Sequence, residues 1–117
     1  MSVQFFYLPE IDVKTVADYL QKPTQEVQLI DVREPQELAI ASIDGFVNYP
    51  LSEHQQWSES ILTQLDLHKE TWVMCHHGRR SAQMGQWLIQ QGFTNVKNIT
   101  GGIDAYSVIV DDTVPRY

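Results

Sequence analysis

Short apolar runs that each end in a polar turn and open into a helix-patterned stretch recur along this chain, and that alternation restricts it to few architectures. Residues 27–31 read as a short buried strand, residues 46–49 as a second ending at Pro50, Thr71-Trp72-Val73-Met74 as a third and residues 96–99 as a fourth. Between them, Val13, Val16, Ala17 and Leu20 follow helical spacing behind a cap at Asp12, with a stop before Pro23. A brief turn after Arg33-Glu34-Pro35 carries Leu38. Ser52 and Gln55 have the spacing of a capping box and open a helix through Trp57, Ile61, Leu62 and Leu65. Met84, Trp87 and Leu88 mark another helix, stopped at Gly92, and a last one starts near Ile103 after the turn Gly101-Gly102. Strands alternating with helices predict a mainly parallel sheet covered on both faces.

The 117 residues contain no repeat or linker-like tract, so one domain spanning 1–117 is predicted, large enough to hold a core without disulfide or metal staples. The single cysteine, Cys75, excludes an internal disulfide framework. The opening residues lack the basic start and long apolar run of a secretory signal, and no apolar run approaches a membrane span, which predicts a cytoplasmic protein without membrane partners. A net charge of -7 argues against general affinity for nucleic acid. Only eight Lys or Arg are present, yet Arg79 and Arg80 adjoin His76 and His77, so the most cationic spot is the segment after Cys75.

That segment, Cys75-His76-His77-Gly78-Arg79-Arg80, joins a buried strand to a helix. Ligands of parallel sheets collect at the carboxyl ends of strands, and the first turn of a helix offers free N–H groups and a positive dipole end. Gly78 lets the backbone turn successive N–H groups toward one centre, forming a bowl with Cys75 at its rim or base. A helix N-terminus and neighbouring cations stabilise a thiolate, which makes Cys75 the candidate nucleophile. Arg80 suits the bonding of loop carbonyls or an oxyanion through its fixed fork. His76, His77 and Arg79 are candidates for contacting an anionic substrate, the histidines by partial protonation near neutral pH.

Cys75-x-x-Gly78-x-Arg80, with residues 29–34 (Leu-Ile-Asp-Val-Arg-Glu) upstream and Gly101-Gly102-Ile103-x-Ala105 downstream, resembles the rhodanese family. The resemblance implies a three-layer α/β domain with a five-stranded sheet. It also implies a sulfurtransferase in which Cys75 takes a sulfane sulfur from a small anionic donor such as thiosulfate, holds it as a persulfide and yields it to cyanide, a thiol or a protein. No metal or organic cofactor is required. A relay module serving only a protein partner is an alternative. An arsenate reductase or phosphatase is another, disfavoured because phosphatase loops run one residue longer before their arginine. The chain has Ala41-Ser42 where relatives carry Gly-His, read as local packing, and Tyr106 in place of a usual tryptophan. Residues 114–117 resemble the end of rhodanese domains fused to adenylyltransferases, which hints at a protein acceptor.

Other features have structural readings. Asp31 and Arg33, with Glu37, are expected to brace the strand ends beneath the loop, since buried charges need partners. Cys75, His76 and His77 are consecutive and so poorly placed to converge on a metal, with His54 and His68 far off in sequence. Gly101 and Gly102 read as a tight turn, and Trp57, Trp72 and Trp87 as packing residues.

Overall fold

A computed structural model describes residues 6–117; the opening residues 1–5, on which part of the expectation about a leader rests, lie outside the described region. The elements run β1 (Glu10–Ile11), α1 (Val13–Gln21), β2 (Gln28–Asp31), α2 (Pro35–Ile40), β3 (Val47–Asn48), a 3-10 turn (Leu51–Glu53), α3 (His54–Trp57), α4 (Ile61–Gln64), β4 (Thr71–Met74), α5 (Arg79–Gln90), β5 (Val96–Ile99) and α6 (Gly102–Ile109). The five strands form one sheet in the order β1-β5-β4-β2-β3, and every pairing is parallel.

Two core clusters follow from the period-2 alternation of strand side chains. Ile30 and Val73 face Trp57, Ile61, Met84 and Leu88 from α3, α4 and α5. Leu29, Trp72 and Met74 face the opposite way, onto Val13 and Val16 of α1 and Ile103 of α6. All four residues of β4 are buried, as the central strand of a sheet covered on both sides requires. No helix among the described residues is long and apolar enough to cross a membrane.

Local signals set most boundaries. The Asp12 carboxylate accepts the Thr15 N–H at 2.8 Å and starts α1, which ends at Gln21 ahead of Pro23. Glu34 and Glu37 form the reciprocal capping box of α2, with Pro35 at its first position. The single helix predicted from Ser52 to Leu65 is instead broken. Ser52 turns its amide and hydroxyl to the Glu34 carboxylate, and residues 58–60 interrupt the helix where the Ser60 hydroxyl donates back to the Trp57 carbonyl. Leu62, placed on the apolar face by its spacing, is 39% exposed as a result.

Strand order locates the site. The connection leaving β2 runs outward to β3, whereas the connection leaving β4 runs the opposite way to β5. Adjacent strands with opposed connections open a crevice at their carboxyl ends, and the residues after Asp31 and after Met74 line it.

Candidate functional site

Cys75 follows the last residue of β4 and lies at the base of the bowl, with 1% of its surface exposed. Gly78 adopts φ 105°, a left-handed conformation that glycine takes without strain, and α5 begins at the next residue. This places the Gly78 N–H 3.0 Å from Cys75 Sγ. From the first turn of α5 the Ser81 hydroxyl donates its one proton to the Asn98 side-chain oxygen at 2.5 Å, and its own oxygen lies 3.2 Å from the same sulfur. Asn98, on β5, donates its amide to the Gly78 carbonyl at 3.0 Å, tying the loop to the sheet.

The back of the loop is gripped by α6. Ile103 N–H donates to the Cys75 carbonyl at 3.0 Å and Asp104 N–H to the His76 carbonyl at 3.1 Å. Peptide planarity then aims the N–H groups of His76 and His77 away from α6, as a bowl of inward donors needs. Gly101 and Gly102 do more than turn the chain. A Cβ on Gly102 would lie 2.3 Å from the Cys75 carbonyl oxygen, so only glycine lets the two backbones meet.

Charges surround this core in an ordered series. Arg33, fully buried, places Nε and Nη2 on the Asp31 carboxylate at 2.7–3.2 Å, Nη2 also on the Ala41 carbonyl at 2.9 Å, and Nη1 on the Tyr117 hydroxyl at 2.9 Å. Asp31 and Arg33 therefore pair with each other at the end of β2. Ala41 contributes its carbonyl and a buried methyl, in keeping with the packing role read for it.

Arg80 does not turn its fork to the loop carbonyls. Its Nη1 and Nη2 bond both oxygens of Glu37 at 2.6 and 2.9 Å. The Arg80 guanidinium, together with the Tyr117 hydroxyl, holds the Glu37 carboxyl down to about 2, and the same pairing raises Arg80 above its ordinary range. Burial, aided by the nearby His77, lowers His76 from 6.5 and favours its neutral ring, against the partial protonation expected near neutral pH. The exposed His77 lies 3.9 Å from Asp104, which also pairs with Arg116, and Arg79 is exposed with no ion pair among the described residues. No cluster of metal-ligating groups occurs among the described residues. A 480 Å³ surface hollow lined by Tyr19, Trp72 and Lys97 contains no residue of the cysteine loop.

Cys75, His76, His77, Gly78, Arg79 and Arg80 run consecutively from the end of β4 into the first turn of α5, and Glu37 and Tyr117 stand between Arg80 and the Asp31–Arg33 pair. Ser81, Asn98 and Tyr117 are site residues that sequence reading passed over. Only Ser81 carried a local signal, since it stands one helical turn beyond the loop glycine.

Comparison with known proteins agrees with this geometry. The rhodanese-like domain family matches residues 13–108. Over 110 residues the chain is 46% identical to the Arabidopsis thaliana rhodanese-like/PpiC domain-containing protein 12, chloroplastic, covering 92% of this chain and 37% of that protein. It is 30% identical over 107 residues to the adenylyltransferase and sulfurtransferase UBA4 of Meyerozyma guilliermondii, covering 88% and 25%. The crystal structure of a rhodanese-related protein from Thermoplasma volcanium superposes with a TM-score of 0.70 at 29% identity, covering 92% of this chain and 95% of that one. The chain therefore spans from about a quarter to about half of the length of curated relatives that it matches, and it is related to sulfurtransferases. A cysteine loop hung between β4 and α5 and gripped from behind by α6, in a sheet of this order, belongs to the rhodanese-like domain family, and this chain is a member of it.

Proposed function

We propose that the chain is a sulfurtransferase that carries sulfane sulfur on Cys75. The observation that carries this reading is the Gly78 N–H aimed at one buried sulfur at the mouth of a helix, with the Ser81 hydroxyl packed beside it. Such a donor stabilises an anionic sulfur before and after transfer.

In the first step the Cys75 thiolate attacks the outer sulfur of thiosulfate. The sulfur–sulfur bond of the donor breaks, sulfite leaves with the bonding pair, and Cys75 becomes a persulfide. In the second step a nucleophile, such as cyanide or a thiolate, attacks the terminal sulfur, and the Cys75 thiolate is regenerated. Two displacements through a covalent intermediate give ping-pong kinetics. His76, His77 and Arg79 are proposed to contact the donor at the mouth, and Arg80 to add its positive charge from the Glu37 pair. The six residues from Cys75 to Arg80 make a ring suited to one transferred atom rather than a tetrahedral oxyanion.

A relay reading, in which sulfur passes only to a protein, draws support from the likeness to UBA4, an adenylyltransferase and sulfurtransferase. A lone thiol suits a reducing compartment such as the cytosol; the plant relative carries a chloroplastic designation of its own.

Incubation with thiosulfate followed by intact-mass measurement tests the reading. A gain of one sulfur that disappears in Cys75→Ser is expected, and rapid thiocyanate release on adding cyanide selects the enzyme over the relay. No sulfur adduct, together with phosphate release from an aryl phosphate, would overturn the proposal.

A further inference from the structure

Tyr117 touches both flanks of the cysteine loop. Its ring lies flat on the His76 imidazole, with centroids 3.9 Å apart and planes 6° from parallel, and His77 packs against the same imidazole at 3.9 Å. The buried Nε2 of His76 has no hydrogen-bond partner, so no bond at that nitrogen orients the ring and stacking sets its pose. At the other flank, the Tyr117 hydroxyl donates to Glu37 Oε2 at 2.7 Å, and Glu37 holds Arg80, the last residue of the loop.

The direction of these bonds is fixed by what each group can do. Arg33 only donates, so Tyr117 accepts from its Nη1 and must give its own proton to Glu37. Glu37, accepting from Arg80 through both oxygens and from Tyr117, has to be ionised. Arg33 is fully buried and pinned to Asp31 and Ala41, whereas Arg80 is partly exposed at the mouth. Apart from a 3.4 Å contact from Arg33 to the Glu37 carbonyl, Tyr117 is the link from the buried cation to the partly exposed one. Tyr117 is itself held, because the Ser107 hydroxyl bonds the Val114 carbonyl at 2.5 Å and Arg116 pairs with Asp104 at 3.0 and 3.3 Å.

We infer that Tyr117 is a positioning residue for donor binding: its hydroxyl sets the Glu37–Arg80 pair and its ring sets His76, on opposite sides of the loop. The kinetic part of this inference rests on the sulfurtransferase reading above; the contacts themselves do not.

Three forms of the full chain separate the two contacts. Tyr117→Phe keeps the stack and removes the hydroxyl, and Tyr117→Leu removes both. Carboxyl NMR of Glu37, imidazole NMR of His76 and steady-state kinetics with thiosulfate and cyanide are the readouts. In Tyr117→Phe the Glu37 midpoint rises from about 2 toward 4.5, the His76 midpoint stays with wild type, and KM for thiosulfate rises about fivefold while kcat changes less than about twofold. In Tyr117→Leu the His76 midpoint also climbs toward 6.5 and KM rises further. A Tyr117→Phe protein with wild-type Glu37 titration and KM, or a Tyr117→Leu protein altered only in thermal stability, would overturn the inference. Should the wild type transfer no sulfur, the sulfurtransferase reading falls, and the two titrations still decide the contacts of Tyr117.

Discussion

Glu37 grips Arg80 through both carboxylate oxygens, at 2.6 and 2.9 Å, and so the last residue of the cysteine loop is anchored to the helix that follows β2. The pair bridges the crevice between two adjacent strands whose connections part in opposite directions. A bidentate, charge-assisted pair fixes the plane of the guanidinium as well as its position. The positive charge remains at the mouth, but its orientation is set from β2's side of the sheet rather than by the loop.

Acid should therefore loosen the site through Glu37. Its carboxyl lies at about 2 in the folded chain against 4.5 ordinarily. A depressed carboxylate contributes stability that is fully present above 4.5 and is lost as pH falls through that value toward about 2. With the side chain 19% exposed, the contribution is on the order of 1–3 kcal/mol. Urea unfolding of wild type and Glu37→Gln across this window is expected to show a steeper loss for wild type, and parallel curves would refute the assignment.

Gly102→Ala should be among the most damaging small substitutions. Its φ of 60° disfavours any side chain, and the added Cβ would lie 2.3 Å from the Cys75 carbonyl and 2.5 Å from that of His76. Either α6 withdraws from the loop or the loop shifts. A loss of about 2–4 kcal/mol is expected from strain plus steric overlap. Denaturant titration measures it, and persulfide formation should fall with it because the N–H groups of His76 and His77 lose their aim.

Ser81→Ala removes the hydroxyl that donates to Asn98 Oδ1 beside the sulfur, without touching the loop backbone. A buried acceptor left unpaired costs about 1–3 kcal/mol, so the variant should unfold at a correspondingly lower urea concentration. Asn98 keeps its bond to the Gly78 carbonyl in the variant, so the fold should persist, and a urea midpoint equal to that of wild type would show that the Ser81–Asn98 bond contributes nothing.

Legibility in the sequence varied with the distance over which information travels. The strand into Cys75, the glycine at Gly78, the capped start of α1, the brief helical turn after Pro35 and the helix after the loop were readable because apolar period, cap and turn chemistry are local. The edge strand β1 was not, since two residues carry no period and it exists only by pairing with β5. The break between α3 and α4 was also hidden, because the apolar spacing runs on through a turn that serine side chains interrupt.

The sequence by itself determined that the single cysteine stands where a buried strand turns through glycine into a helix, because those signals lie within a few consecutive residues. Tertiary structure alone decided which groups attend the sulfur and its cations. Ser81 meets Asn98 across 17 positions, Arg80 meets Glu37 across 43 and Tyr117 meets Arg33 across 84. Such partners are chosen by strand order and by the need of each desolvated charge and donor for a mate, and no periodicity along the chain encodes that choice.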